Sequence, residues 1–154
     1  MRATLERLFE GHFGTRPVRV EPISGDATFR MRFRLVGAGG ERAIGVTPDV
    51  PEEDRAFVSF TRSLYGVGLP VPRLYRHDES SGAVLVEDAG TESLHAALQT
   101  DRRRTGERFS TSIQPAFEEA IAQLARFQVV GGRAADFADA WRPDTPRPTG
   151  ASST

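Results

Sequence analysis

The chain contains no cysteine, no lysine and no asparagine among its 154 residues. Without cysteine, disulfide frameworks, thiolate zinc sites and thiol nucleophiles are excluded, and the redox compartment has no positive marker. A cytoplasmic location is the default expectation. All 20 basic residues are arginines, so any mechanism that needs a lysine amine or an asparagine amide is closed. A biased genome composition is the plain cause; the chemical consequence holds regardless. Neither sign of charge is in excess, since 20 basic residues face 21 acidic ones for a net charge of −1. That balance leaves no electrostatic footprint for nucleic acid or an anionic membrane, and neither is expected as a partner. Long apolar runs are also missing. The start, MRATLERLFEGHFG, sets charges among its apolar positions, unlike a signal peptide, and no later stretch nears the roughly 20 apolar residues of a membrane span. The mature chain is expected to begin at Met1.

What is present, 38% hydrophobic and 27% charged residues, suits one ordinary core and is too short for two comfortable domains. Leu5, Leu8 and Phe9 at helical spacing predict a short helix over residues 2 to about 10, ended by Gly11 and Gly14. VRVEPIS alternates Val18 and Val20 against Arg19 and Glu21, and TFRMRFRL alternates Phe29, Met31, Phe33 and Leu35 against Arg30, Arg32 and Arg34. Period two predicts half-buried strands. RAIGVT supplies a third strand after the turn at Gly37 to Glu41, so the three form an antiparallel meander.

The period then changes to 3.6. Thr47 or Asp49 caps a helix with Pro51, Glu52, Glu53 and Asp54 in its first turn and Phe57, Phe60 and Leu64 as its inner stripe; Gly66 and Gly68 stop it. Two more strands follow, near Arg73 to His77 and over Ala83 to Asp88. A short helix from Thr91 through Leu94 and Leu98 leads to the charged loop TDRRRTGER. A longer helix runs from about Ile113 or Pro115 to Val130, with Phe117, Ile121, Leu124 and Phe127 inward and Gly131-Gly132 as its stop. The end of the chain, from about Trp141, is rich in proline and small polar residues and is expected to be disordered. The domain reading is a sheet-forming lobe over 1–90, a partial helical lobe over 91–139 and a tail over 140–154.

Three antiparallel strands, a helix and two more strands match the order of the small lobe of protein-kinase-like folds. The ordered set TFRMRFRL, EEDRAF, GLPVPRLY and VLVEDAG resembles the aminoglycoside phosphotransferase and choline kinase superfamily, nearest to its branch of bacterial amino-sugar kinases acting on N-acetylmuramate and N-acetylglucosamine. The resemblance implies an α+β kinase-like N-terminal lobe, a five-stranded antiparallel sheet with one inserted helix, followed by the first helices of an incomplete C-terminal lobe. It implies ATP as cofactor, a nucleotide partner and transfer of a phosphoryl group to a sugar hydroxyl. Ser24, Gly25, Asp26, Ala27 and Thr28 then lie where backbone covers phosphates, Arg30 replaces the missing lysine on phosphate oxygens beside Glu53, and Glu87, Asp88 and Ala89 form the hinge that meets adenine.

Each feature also has a plainer reading. Ser24 to Thr28 is equally a hairpin turn, Glu53 serves the helix dipole, and arginines alternating along a strand are commonly a solvated face. Glu87-Asp88 is also an ordinary strand end, and Arg102 to Arg104 a solvated run. His12, His77 and His95 have no ligand spacing and receive no role. Asp136-Phe137-Ala138 only superficially resembles a metal-binding D-F-G.

The sequence also departs from a working kinase. No histidine is followed two places on by aspartate, and asparagine is absent, so the H-x-D-x-x-x-x-N catalytic loop is missing, along with the residues that would fix magnesium. Magnesium is expected only with a completing C-terminal lobe. In AIGV, Gly45 stands where AIKV would set a lysine. Two functions follow from these features: the ATP-binding lobe of a sugar phosphotransferase, truncated and inactive alone, with a missing C-terminal lobe as partner; or a non-catalytic kinase-like module that binds a partner protein. A chance match by an unrelated α+β binding domain is the third reading.

Overall fold

Helix α1 (Arg2–Phe13) buries Leu5 and Phe9 completely. These features come from a computed structural model that describes residues 1–23, 31–48 and 50–135. The helix outruns its expected stop, because Gly11 is accommodated within it. Left-handed backbone arrives only at Gly14, φ 77°, whose N–H donates to the Glu10 carbonyl at 2.8 Å.

Strands β1 (Pro17–Ile23), β2 (Arg32–Gly37), β3 (Arg42–Val46), β4 (Leu74–Asp78) and β5 (Ala83–Glu87) form one antiparallel sheet in the order β1-β2-β3-β5-β4. Helix α2 (Pro51–Gly66) is inserted between β3 and β4 and lies against β4. The α+β class is as the periodicity implied, but alternation of burial is clear only in β3, and Met31, expected inward with Phe33 and Leu35, precedes β2 and stands 58% exposed.

Register separates the two faces of the sheet, since directly paired residues share a face. Phe33, Gly45 and Leu85 are in one row and Leu35 and Ala43 in the next. Leu5, Phe9, Leu35, Ala43, Ala83 and Leu85 form the fully buried core between this face and α1. The opposite face carries Arg34, Ile44 and Val86 in one row, and Arg32, Val46 and Val84 in another.

Several expectations fail for local physical reasons. Val18 does not share Val20's burial: the register slips between Pro17 and Arg19, and Val18 stands 62% exposed. A bulge adds one residue and so breaks the parity of period two. Thr47 does not cap α2, whose N-cap is Val50. Its hydroxyl instead accepts from the Met31 N–H at 3.1 Å and donates to the Met31 carbonyl at 3.2 Å. Asp49 lies outside the described residues. In α2 the buried positions are Ala56, Val58 and Thr61, and the expected stripe of Phe57, Phe60 and Leu64 is half-buried.

The charged stretch at residues 100–105 is helix, not loop. Helix α3 (Leu94–Thr105) starts at Ser93, whose hydroxyl accepts from the Ala96 N–H, and ends at Gly106 in left-handed backbone. Arg102, Arg103 and Arg104 fill its last turn, where the helix dipole favours cations. Helix α4 (Gln114–Arg126) continues through a π-helical turn at Phe127–Gly131 and one further turn at Gly132–Ala134, so the glycine pair does not stop it. A Cβ on Gly131 would come within 3.1 Å of both Leu64 and Leu69. The glycine therefore permits close approach to the end of α2. Ile121 and Leu124, expected inside, are 66% and 58% exposed.

Candidate functional site

The segment leaving β5 is held by an arginine from two strands away. Glu87 ends β5 in register with Ala43, its N–H donating to the Arg73 carbonyl at 2.8 Å and its carboxylate accepting from the Arg73 N–H at 3.1 Å. Asp88 follows. Its carboxylate accepts from Arg34 Nε at 2.7 Å and from Arg34 Nη2 at 3.1 Å, the two-pronged geometry that makes a guanidinium–carboxylate pair strong and directional. The side chains of Asp88 and Arg34 are 2% and 21% exposed in this pair. The carboxylate also accepts from the Gly90 N–H at 3.0 Å, and Arg34 Nη2 donates to the Gly90 carbonyl at 3.1 Å. Gly90 has φ 104°, which favours glycine.

Of the residues assigned to nucleotide contact, Glu87, Asp88 and Ala89 are therefore brought together, and the Asp88 side chain is already occupied by Arg34. Glu87 and Ala89 are exposed. Glu53 lies half-buried in the first turn of α2. Ser24, Gly25, Asp26, Ala27, Thr28 and Arg30 fall outside the described residues. The solvated-face reading fits Arg32, which is exposed, and fails for Arg34. Finding Arg34 in advance would require knowing that β5, not β4, pairs with β3.

Gly45, which stands where AIKV would set a lysine, faces α1 and Leu5 rather than Arg34's side of the sheet, so it is a packing position. The β3 side chains on Arg34's face are Ile44 and Val46.

A second polar cluster joins the end of α3 to the start of α4. Buried Asp101 accepts from Ser110 Oγ at 2.5 Å, Ser112 Oγ at 2.6 Å and Arg104 Nη2 at 2.8 Å. The serine hydroxyls above all, with the Arg104 guanidinium, hold its carboxyl below the usual carboxylate range despite desolvation. A depressed folded pKa means the stabilisation is present above the unfolded pKa and is lost as pH falls through the folded value. Asp101→Asn is expected to unfold at a lower temperature than the parent near neutrality, with the gap closing in acid below the ordinary carboxylate range. Thermal melts of both proteins across that pH range check it; a gap that stays constant contradicts it.

His12, left without a role, stacks on Tyr75 with ring centroids 4.2 Å apart. Desolvation, then Arg76 and Arg73, lower its pKa. Among the described residues, no three histidine, aspartate or glutamate side chains converge to hold a metal, and no helix is long and apolar enough to cross a membrane.

No protein-family model matches the chain. It is similar to the N-acetylmuramate/N-acetylglucosamine kinase of Pseudomonas aeruginosa, 32% identical over 123 residues that make up 79% of this chain and 33% of the relative. It is also similar to the protein of the same name from Pseudomonas putida, 30% identical over 105 residues, 68% of this chain and 28% of the relative. These matches agree with the amino-sugar kinase resemblance of the motifs. The chain spans about a third of the length of the curated relatives it matches.

Proposed function

We propose that this chain is the nucleotide-binding lobe of a phosphotransferase that moves a phosphoryl group from ATP to the hydroxyl of an amino sugar, and that it is inactive alone. The similarity to an amino-sugar kinase over 79% of the chain carries this reading. The sheet order and the inserted α2 are compatible with a kinase-like small lobe. In this reading residues 1–90 are that lobe and 91–139 the beginning of a helical one.

Adenine presents a donor and an acceptor on one edge, and the segment from Glu87 to Ala89, exposed at both of those residues, has the carbonyl and N–H to complement them. Ser24 to Thr28 and Arg30 are assigned to the phosphates, with Glu53 beside them. The metal that bridges the phosphates in such reactions finds no donor cluster among the described residues. Nor does the sequence hold the H-x-D-x-x-x-x-N loop that would take the hydroxyl proton. The chain's own part is to grip and orient the nucleotide; base and sugar site belong to a completing lobe.

Isothermal titration of the purified chain with Mg-ATP, alongside a phosphorylation assay on N-acetylglucosamine and N-acetylmuramate, tests the reading. Nucleotide binding without turnover is expected. Unaided turnover would overturn the claim of inactivity, and the absence of nucleotide binding would overturn the lobe assignment. The latter outcome would favour the alternative of a partner-binding module, which draws on the exposed Ile121 and Leu124 of α4.

A further inference from the structure

Asp88 lies one residue beyond the end of β5, and its pair with Arg34 of β2 reaches across the intervening strand β3. Arg34 is in row with Ile44 of β3 and Val86 of β5. Its head must therefore cross β3, two strand spacings or about 10 Å in all, to meet Asp88 on the same face. A shorter side chain would not reach. The guanidinium serves both carboxylate oxygens and the Gly90 carbonyl from two nitrogens in one plane, an arrangement that the single nitrogen of a lysine amine does not reproduce.

The consequence is a backbone held at two points. Upstream, Glu87 is fixed by its pairing with Ala43 and its bonds to Arg73. Downstream, both the N–H and the carbonyl of Gly90 are tied to the ion pair. Ala89 is suspended between these anchors. We infer that Arg34 is a positioning residue for base recognition: through Asp88 and Gly90 it sets the direction of the Glu87 carbonyl and the Ala89 N–H, and so selects a purine bearing a 6-amino donor. This rests on the nucleotide-binding reading proposed above. Pre-setting two peptide groups removes an ordering cost from ligand binding, and that gain is specific to the base end of the nucleotide.

The test uses the full 154-residue chain as parent, Arg34→Met, Arg34→Lys and Asp88→Asn, each confirmed folded by circular dichroism. Calorimetric titrations compare Mg-ATP with Mg-ITP, whose 6-oxo group cannot donate to a carbonyl. The parent is expected to prefer ATP, and Arg34→Met and Asp88→Asn to lose about tenfold in ATP affinity with ITP little changed, as loss of preorganisation at the base predicts. Arg34→Lys, which keeps charge without the fork, should fall between them. If Arg34→Met does not fold, the other two variants decide. Hydrogen exchange at the Gly90 N–H, expected to be faster in every variant, reads the clamp without nucleotide. Equal losses for ATP and ITP, no ATP preference in the parent, or unchanged ATP affinity in a folded variant would overturn the inference while leaving nucleotide binding intact. A parent that binds neither nucleotide removes the functional reading, and this inference with it.

Discussion

Replacing Gly45 with lysine is expected to destabilise the chain by about 3 kcal/mol or more, the sum of overpacking and burial of a charged amine. A Cβ at this position would stand 2.9 Å from both Leu5 methyls and 3.0 Å from Leu35 Cδ1. Leu5 and Leu35 are wholly buried, so those methyls have little room to withdraw. Val46→Lys provides the control. Val46 is half-buried on the opposite face, beside Arg32, where a long stem can carry its amine to water. Urea unfolding of both variants gives the comparison through their midpoints. A milder loss at 46 than at 45 is expected, and equal losses would contradict the facing of the strand. The close approach of α1 to β3 thus accounts for glycine rather than lysine in AIGV.

Phe9→Ala is expected to cost about 3–5 kcal/mol, the range for removing a fully buried phenyl ring. Phe9 has no exposed surface and lies 4.6 Å, centroid to centroid, from Phe13, which meets Tyr75 edge-on at 5.6 Å. Loss of the ring opens a cavity between α1 and the sheet and undoes the contact that orders the other aromatics. Phe117→Ala should be much milder. Phe117 is half-buried, and its ring partner Phe109, at 5.1 Å, is itself 47% exposed. Denaturant midpoints rank the two variants; a Phe117 loss as large as that of Phe9 would mean that α4 carries a core the structure does not show.

The difference between these two phenylalanines marks where sequence reading succeeded and where it stopped. Leu5 and Phe9 were legible as core because helical spacing and apolar character coincide there, and the helix does have a sheet to cover. Ile121 and Leu124 show the same spacing, yet stand exposed. Periodicity reports that a face is suited to burial; it carries no information on whether a neighbour is present. Val18 misled for a different reason, because one bulge inverts the alternation that identifies an inward residue. The stretch 100–105 looked like a loop through its charge, although Ser93 and Gly106 supplied a start and a stop for helix.

For the site, the residue types were visible and their partnerships were not. Glu87, Asp88 and Ala89 were grouped because the kinase-like resemblance implies a hinge after the fifth strand; by themselves they read as an ordinary strand end. Arg34 passed, with Arg32, for a solvated arginine, because its tie to Asp88 joins residues 54 positions apart.

Local order in this chain, meaning which segments are helix or strand, where turns fall, and which reactions the missing residue types forbid, follows from neighbours along the chain and is written in one dimension. The facing of Gly45, the reach of Arg34 across β3 and the exposure of Ile121 and Leu124 on α4 depend on strand order and on what packs where. Those are contacts between distant residues, and their geometry exists only once the sheet has closed.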